Sequence, residues 1–186
     1  MGAAPETPDA LRSGTVQLKD GRIVMVRPAT PNDAQGMMEN INAVGAEIDW
    51  IITEGVGSDV EREREWIAQY DGAGSVLYVA EADGRIVGQA DVAAGRWPKE
   101  THVGTIGVAI QAGWRDAGLG RAMMERVLEW LRDRQFRKAC LSVFSTNARA
   151  IALYRKLGFE VDGVRTRQFR VRDAWVDEVL MAKWLE

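Results

Sequence analysis

The stretch from Thr101 to Arg134 constrains the fold more than any other part of this chain. It joins a strand pattern over 101–110 to a loop containing Gly118 and Gly120, and then to an amphipathic helix pattern. The apolar residues of this helix recur at helical spacing, and the charged residues lie largely opposite them. A helix with one apolar face must bury that face against another element, and the preceding strand indicates a sheet. We therefore expect helices packed on a sheet.

Turn signals predict three strand pairs in the rest of the chain. Asp20-Gly21 and Asp83-Gly84 each separate two apolar runs, which is typical of a β-hairpin. A third pair surrounds 172–174, and a single strand is predicted over 138–144. Residues 1–14 show little apolar pattern and are predicted to be a flexible tail, so we expect the folded domain over 15–186.

Helix signals lie between these strands. Thr30-Pro31 combines a capping hydroxyl with a proline at the first helical position. Ser58 has the spacing of a capping box and begins a charged helix that runs to about Tyr70. A further helix over 147–157 is followed by a glycine. The order β, α, α, β, β, β, α, β, α, β, β then predicts a single domain of the α+β (mixed α/β) class.

The composition excludes several classes of function. The net charge of -3 provides no general attraction to nucleic acids or anionic membranes. No apolar run approaches the roughly 20 residues that cross a bilayer, and the N-terminus lacks a signal-peptide pattern. We therefore expect a cytoplasmic protein without nucleic-acid or membrane partners. The only cysteine, Cys140, rules out an intramolecular disulfide, and the only histidine, His102, makes most metal sites hard to assemble.

The loop at 115–120 has the features of an anion-binding helix start. The first N–H groups of a helix have no partner within it, and the helix dipole places about half a positive charge there. Gly118 and Gly120 let those amides approach a ligand without a Cβ in the way. Arg115 and Arg121 add cationic side chains beside it. A pyrophosphate group suits such a site.

Two common nucleotide-binding loops do not fit this segment. A P-loop ends in Gly-Lys-Ser/Thr, whereas here Gly120 is followed by Arg121 and Ala122. A Rossmann loop requires a small residue where Met123 stands. The GNAT N-acetyltransferase superfamily has an acetyl-CoA signature that closely resembles the remaining pattern, Arg115-Asp116-Ala117-Gly118-Leu119-Gly120.

A second segment strengthens this resemblance. Residues 147–159 resemble the later motif of the same superfamily, Asn-x-x-Ala-x-x-Leu-Tyr-x-Lys-x-Gly-Phe, and follow the first motif across one helix and one strand. Asn147, Ile151 and Tyr154 share a helix face there. The resemblance covers about residues 15–185. It implies a central mixed, mostly antiparallel sheet flanked by about four helices, and an acetyl-CoA-dependent N-acetyltransferase.

The resemblance also implies how the acetyl group is transferred, which is directly from acetyl-CoA to an amine in a ternary complex. The strand backbone at Val108 and Ile110 pairs with the pantetheine arm in such enzymes, and an amide near Ile110 is expected to bind the carbonyl oxygen. Tyr154 is the expected general acid for the leaving thiolate, since a phenol with a pKa near 10 can protonate a thiolate with a pKa of roughly 8.5. The residues expected to bind the cofactor are Val108, Ile110, Arg115, Asp116, Ala117, Gly118, Leu119, Gly120, Arg121, Asn147, Ile151 and Tyr154.

The two motifs do not identify the general base or the acceptor. Some members of the superfamily carry a glutamate on the strand before the loop, where this chain has Gly104. His102 lies two residues earlier and is a candidate base, because its unperturbed pKa is near 6.5. Glu47 and Glu54 are candidates for binding a cationic substrate. A solvated loop carboxylate is an equally good interpretation of each.

Three functions stay open at this point. A small-molecule amine or an amino acid is the first expectation for the acceptor. Acetylation of a protein N-terminus or lysine is the alternative, and a non-catalytic acyl-CoA-binding regulatory module is a further alternative. A homodimer built through the late strands is an additional hypothesis.

Overall fold

The computed structural model describes residues 13–185, which form one eight-stranded sheet with four α-helices. The α+β class is thereby confirmed. Of the predicted tail, residues 1–12 lie outside the described residues, and Gly14 already belongs to the first strand. The strands are β1 (Gly14–Gln17), β2 (Ile23–Pro28), β3 (Ser75–Ala82), β4 (Arg85–Ala94), β5 (Val103–Ile110), β6 (Lys138–Phe144), β7 (Glu160–Val171) and β8 (Ala174–Trp184). The helices are α1 (Ala34–Gly45), α2 (Val60–Ile67), α3 (Leu119–Asp133) and α4 (Ala148–Lys156).

The sheet has the strand order β1-β2-β3-β4-β5-β6-β8-β7, and its neighbours are antiparallel except for β5 and β6. Hairpins form at both predicted turn dipeptides, where Gly21 and Gly84 adopt positive φ angles of 88° and 72°. A parallel pair needs a crossover connection, and α3 provides it. The one parallel pair in the described residues therefore lies at the segment, 101–134, that most constrains the fold.

Each face of the sheet is covered by different helices. The larger core lies under α3, whose predicted apolar face is confirmed by the complete burial of Met123, Val127 and Leu131. Residues of α4 pack against this same core. A smaller core forms under α1 and α2, where Met37 and Ile67 pack on β3. None of the helices in the described part of the chain is long and apolar enough to span a membrane.

The helix predicted from Ser58 differs at both ends. Asp59 caps α2, because its Oδ1 accepts the N–H of Arg62 at 3.1 Å. Aspartate is as good a cap as serine, so the predicted start is wrong by one residue. The helix ends at Ile67, and Tyr70 lies beyond it against the smaller core. Because Tyr70 lies outside the helix, its side chain can pack against the core that lies on the sheet.

Candidate active site

A gap in the sheet separates β5 from β6. Their parallel pairing covers only Val103–Thr105 of β5 and Lys138–Cys140 of β6. Beyond that point β6 remains paired with β8, whereas β5 remains paired with β4. Over residues 106–110 the sheet is therefore open along one edge of β5, directly before the glycine loop.

This open edge of β5 presents backbone polar groups to the gap. The N–H of Gln111 donates to the Val87 carbonyl at 3.1 Å, which fixes the alternation of the β4–β5 ladder. By that alternation the backbone groups of Val108 and Ile110 point away from β4. Arg115 Nε donates a hydrogen bond of 2.7 Å to the Ile110 carbonyl. The remaining groups are free to pair with an added extended chain, as the expected pantetheine contact requires.

The glycine loop places the start of α3 beside the gap. Gly118 has a φ of 100°, a left-handed conformation that glycine adopts without strain, and Asp116 shares this region with a φ of 63°. No side chain caps α3, and its first turn contains no acidic residue. Within the described residues its first N–H groups therefore lack a side-chain acceptor and suit the phosphates of CoA.

Gly120 allows α3, α4 and β5 to meet closely. A Cβ at this position would lie 3.3 Å from Ile110 Cδ1 and 3.4 Å from Leu153 Cδ2 of α4. Arg149, in the first turn of α4, also donates to Asp116 at 3.0 Å. The first turns of both helices consequently lie at the same end of the gap.

The second motif forms α4, which is one residue shorter at each end than the helix predicted over 147–157. Asn147 caps the helix by accepting the N–H of Ala150 at 3.1 Å. Tyr154 is half-buried, with its ring centroid 6.0 Å from that of Phe159, and Ile151 packs against the same core. Burial raises the pKa of Tyr154 to about 12, with no hydrogen bond from residues 13–185 contributing. Its hydroxyl therefore keeps its proton throughout the physiological pH range.

Arg115 and Glu47, predicted to contact the cofactor and the acceptor respectively, bind each other. The guanidinium forms two hydrogen bonds of 2.6 Å to Glu47 and lies 5.4 Å from the centroid of the Trp50 ring. Trp50 Nε1 also donates to Glu47 at 2.6 Å. These hydrogen bonds, from Arg115 first, lower the pKa of Glu47. The pair connects the cofactor loop to the segment between α1 and α2. Because the Glu47 carboxylate is already paired with Arg115, it is not available as an unpaired anion for a cationic acceptor.

Other predicted residues lie apart from the gap. Arg121 pairs with Glu125 on the exposed surface of α3 at 2.8 Å, and Glu54 is exposed. His102 precedes β5 at its paired end, where its carbonyl accepts the N–H of Lys138. Val108 lies six residues further, which is roughly 20 Å along a strand. The structure does not bring His102 to the open part of the gap.

Lys19 is a residue at the loop that the sequence analysis missed. Its N–H donates to the Ala117 carbonyl at 2.9 Å, and its side-chain carbons lie 3.9 Å from the position of a Cβ on Gly118. The turn between β1 and β2 thus brings a cation to the glycine loop. No local signal marks a lysine in a hairpin turn, because its importance depends on a contact almost a hundred residues away.

An open pocket of about 600 Å³ lies at the same end of the gap. Arg172 in the β7–β8 turn pairs with Asp49 in the α1–α2 connection at 3.1 Å, and these two segments form opposite walls. Thr146, which directly precedes the cap of α4, completes the lining. Its volume lies within the range of small-molecule sites. The lining residues are Asp49, Trp50, Thr146, Val171, Arg172, Asp173, Ala174 and Val176.

Comparisons with known proteins agree with this geometry. Residues 46–159 match the family model of the Acetyltransferase (GNAT) family. The L-amino acid N-acetyltransferase AaaT of Escherichia coli is 32% identical over 117 residues, which is 61% of this chain and 70% of that protein. The [Ribosomal protein bS18]-alanine N-acetyltransferase of Escherichia coli is 35% identical over 75 residues, or 40% of this chain and 51% of that relative.

A solved structure shows the same fold with the ligand that the glycine loop suits. It is a protein from Salmonella typhimurium with its cofactor acetyl-CoA, and it superposes with a TM-score of 0.79 at 21% identity. The superposition covers 88% of this chain and 94% of the other. The family match spans the gap, the glycine loop and the α4 motif. The chain therefore belongs to the GNAT family of N-acetyltransferases, with acetyl-CoA as its co-substrate.

Proposed function

We propose that this chain transfers the acetyl group of acetyl-CoA to the primary amine of a small molecule or an amino acid, by direct attack in a ternary complex. The pocket of about 600 Å³ at the end of the gap carries this proposal. Its wall contains Arg172, and a guanidinium suits the carboxylate of an amino acid. The similarity to an L-amino acid N-acetyltransferase supports the same class of acceptor.

Different residues around the gap bind different parts of the co-substrate. The first amides of α3 bind the CoA phosphates, and Lys19 adds a positive charge beside them. The backbone of Val108 pairs with the pantetheine arm along the open edge of β5. Acetyl-CoA supplies the acetyl group as a thioester, which is already activated toward an amine.

Tyr154 donates a proton to the sulfur that leaves. Its raised pKa of about 12 keeps the phenol protonated before the reaction. A sulfur that departs into the same apolar surroundings is itself poorly solvated, so its pKa is raised as well. Both pKa values therefore move in the same direction, so burial of the phenol does not by itself prevent proton transfer to the thiolate.

Release of free thiol from acetyl-CoA, measured across a panel of acceptors, tests this proposal. The panel contains free amino acids, simple amines, peptides with a free N-terminus, and lysine peptides with a blocked N-terminus. We expect an amino acid or a simple amine to exceed every peptide in kcat/KM. The N-acetylated form of the best acceptor is the matched control, and it should release no thiol because its amine is blocked.

Acetylation of a protein N-terminus is the second candidate, favoured by the similarity to the ribosomal-protein alanine acetyltransferase. A peptide that is acetylated faster than the free amino acid with the same first residue would replace the small-molecule proposal. Binding of acetyl-CoA without thiol release on any acceptor would instead leave a non-catalytic acyl-CoA-binding module.

A further inference from the structure

Asp91 lies in the middle of β4, on the face of the sheet that α1 and α2 cover. Its cross-strand neighbours are Leu77 of β3 and Gly107 of β5. The helices that border the cofactor loop lie on the other face, where the position of a Cβ on Gly104 falls against Leu131 of α3. Asp91 therefore lies one strand away from the gap, on the face opposite the cofactor helices.

Gly107 lets the Asp91 carboxylate extend across β5. A Cβ at position 107 would lie 2.5 Å from Asp91 Oδ1, which is closer than a side chain tolerates. The glycine thus provides space for the carboxylate next to the open edge of the strand. On this face Thr105 is exposed and Gly107 is half-buried, whereas Gly104 and Ile106 on the other face are buried. A ligand can consequently reach Asp91 from the side of α1 and α2.

Asp91 has a hydrogen-bond donor and no cation. The hydroxyl of Tyr70, which follows α2, donates to the carboxylate, and Glu63 lies near Tyr70. Leu77 and Gly107 contribute no charge from β3 and β5. No lysine or arginine of the described residues pairs with Asp91. A largely buried carboxylate without a counter-charge is unfavourable, so the site favours a cation from outside the chain.

We propose that Asp91 binds the ammonium group of the acceptor and removes its proton, with Tyr70 positioning the carboxylate. This inference rests on the proposed function and names the general base of that reaction. The co-substrate is bound from the face of α3 and α4. The acceptor therefore approaches from the Asp91 face, and the amine attacks through the gap beside Gly107.

Each proton that moves in this reaction has a donor and an acceptor. The ammonium gives one proton to Asp91, which passes it to solvent, and the neutral amine forms a C–N bond to the acetyl carbon. The C–S bond breaks, and the CoA sulfur takes a proton from Tyr154. The nitrogen releases its second proton as the amide forms, and this proton restores the phenol. The net products are the acetylated amine, CoA with a free thiol, and one proton.

The electrostatics of the site support a base that works near neutral pH. Burial raises the pKa of Asp91 to about 6, and the Tyr70 hydrogen bond lowers it by less. The carboxylate is ionised at pH 7 and above, and it is protonated below about pH 6. Tyr70 stays protonated at these values, because burial and Asp91 both raise its pKa.

The pH dependence of kcat/KM, measured on the full chain with the best amine of the panel, tests this role. Deprotonation of the ammonium, the form that Asp91 binds, makes kcat/KM fall at high pH, and protonation of Asp91 should add a second fall below about pH 6. Asp91→Asn is expected to lower kcat/KM by about 100-fold at pH 8 and to remove the second fall. Its acetyl-CoA affinity, measured by calorimetry, should not change. Tyr70→Phe keeps the carboxylate but removes a contact that lowers its pKa, so the second fall should move to higher pH.

Asp83→Asn is the matched control, because it removes the same charge from the exposed β3–β4 turn. It should reproduce the wild-type profile. Wild-type kcat/KM in Asp91→Asn, or an unshifted second fall in Tyr70→Phe, would overturn the assignment. A wild-type chain that releases no thiol with any acceptor would instead defeat the proposed function itself, so the two failures are distinguishable.

Discussion

At Tyr154 the structure combines a half-buried ring with a hydroxyl that keeps its proton. Removing that hydroxyl in Tyr154→Phe leaves the packing against Phe159 in place, because the ring is unchanged. We expect kcat to fall by about 100-fold, the usual contribution of general acid catalysis, while acetyl-CoA affinity stays nearly constant. Steady-state rates and calorimetry on the same preparation check both. Unchanged turnover would remove Tyr154 as the proton donor.

Asp91 should make the protein less stable at high pH than at low pH. Its folded-state pKa of about 6 lies above the unfolded value near 3.9, so folding favours the protonated carboxyl. The contribution of the protonated Asp91 carboxyl to the free energy of unfolding is fully present below about pH 4 and is lost as the pH rises through 6. Asp91→Asn removes this loss and should raise the free energy of unfolding by about 2 kcal/mol at pH 8.

Urea denaturation of wild type, Asp91→Asn and the control Asp83→Asn, at several pH values, checks this prediction. The advantage of Asp91→Asn should shrink as the pH falls below 6, whereas Asp83→Asn should show no such trend. A destabilised Asp91→Asn variant at pH 8 would contradict the raised pKa. A gain in stability with a loss of activity is expected where a buried charge serves function.

At the scale of elements, the loop between β5 and α3 depends on two glycines for different reasons. Gly118 supplies the left-handed backbone, and Gly120 supplies the close approach to Ile110 and Leu153. Gly118→Val strains the backbone by about 1–2 kcal/mol or more and Gly120→Leu separates α3 from α4, so both should weaken acetyl-CoA binding in a folded protein. Gly113→Ala is the control, since a Cβ there meets open space.

Calorimetric titration with acetyl-CoA measures this effect, and circular dichroism confirms that each variant folds. Affinity that survives in both variants would show that the loop does not hold the cofactor. Affinity lost equally in the Gly113 control would mean that any change in this segment is damaging, and the specific roles of the two glycines would be wrong.

The elements were predictable because their signals are local. The hairpin dipeptides, the apolar face of α3 and the glycine that follows α4 each act within a few residues, and the structure has all of them. The contacts of Arg115 with Glu47 were not predictable, since they join positions that only the folded sheet brings together. Asp91 escaped notice for the same reason, because its importance arises from Gly107 on the neighbouring strand. His102 was a candidate general base because of its residue type, but it lies at the paired end of β5, away from the open part of the gap.

At the scale of the whole molecule, β7 forms one outer edge of the sheet. It is 12 residues long, and Val161 and Val164 are 47% and 51% exposed on it. A long edge strand with exposed apolar residues presents unpaired backbone groups with which another chain can pair. We predict that two copies of this chain associate through β7, in keeping with the hypothesis of a homodimer through the late strands.

Sedimentation velocity at increasing protein concentration checks this association. Val164→Lys should shift the protein toward the monomer, because it places a charge on the predicted contact. Ile23→Lys is the control, since it changes an apolar residue that is also exposed, at 64%, near the other edge of the sheet. A wild-type monomer at all concentrations, or an equal effect of both substitutions, would contradict the prediction.

The central claim is that this gap binds acetyl-CoA and delivers its acetyl group to a small amine. Thiol release from acetyl-CoA by the full chain, compared between a free amino acid and a peptide that begins with the same residue, tests it most directly. We expect release that depends on a free amine and a higher kcat/KM for the amino acid. Acetyl-CoA binding with no release on either acceptor, or a higher kcat/KM for the peptide, would contradict it.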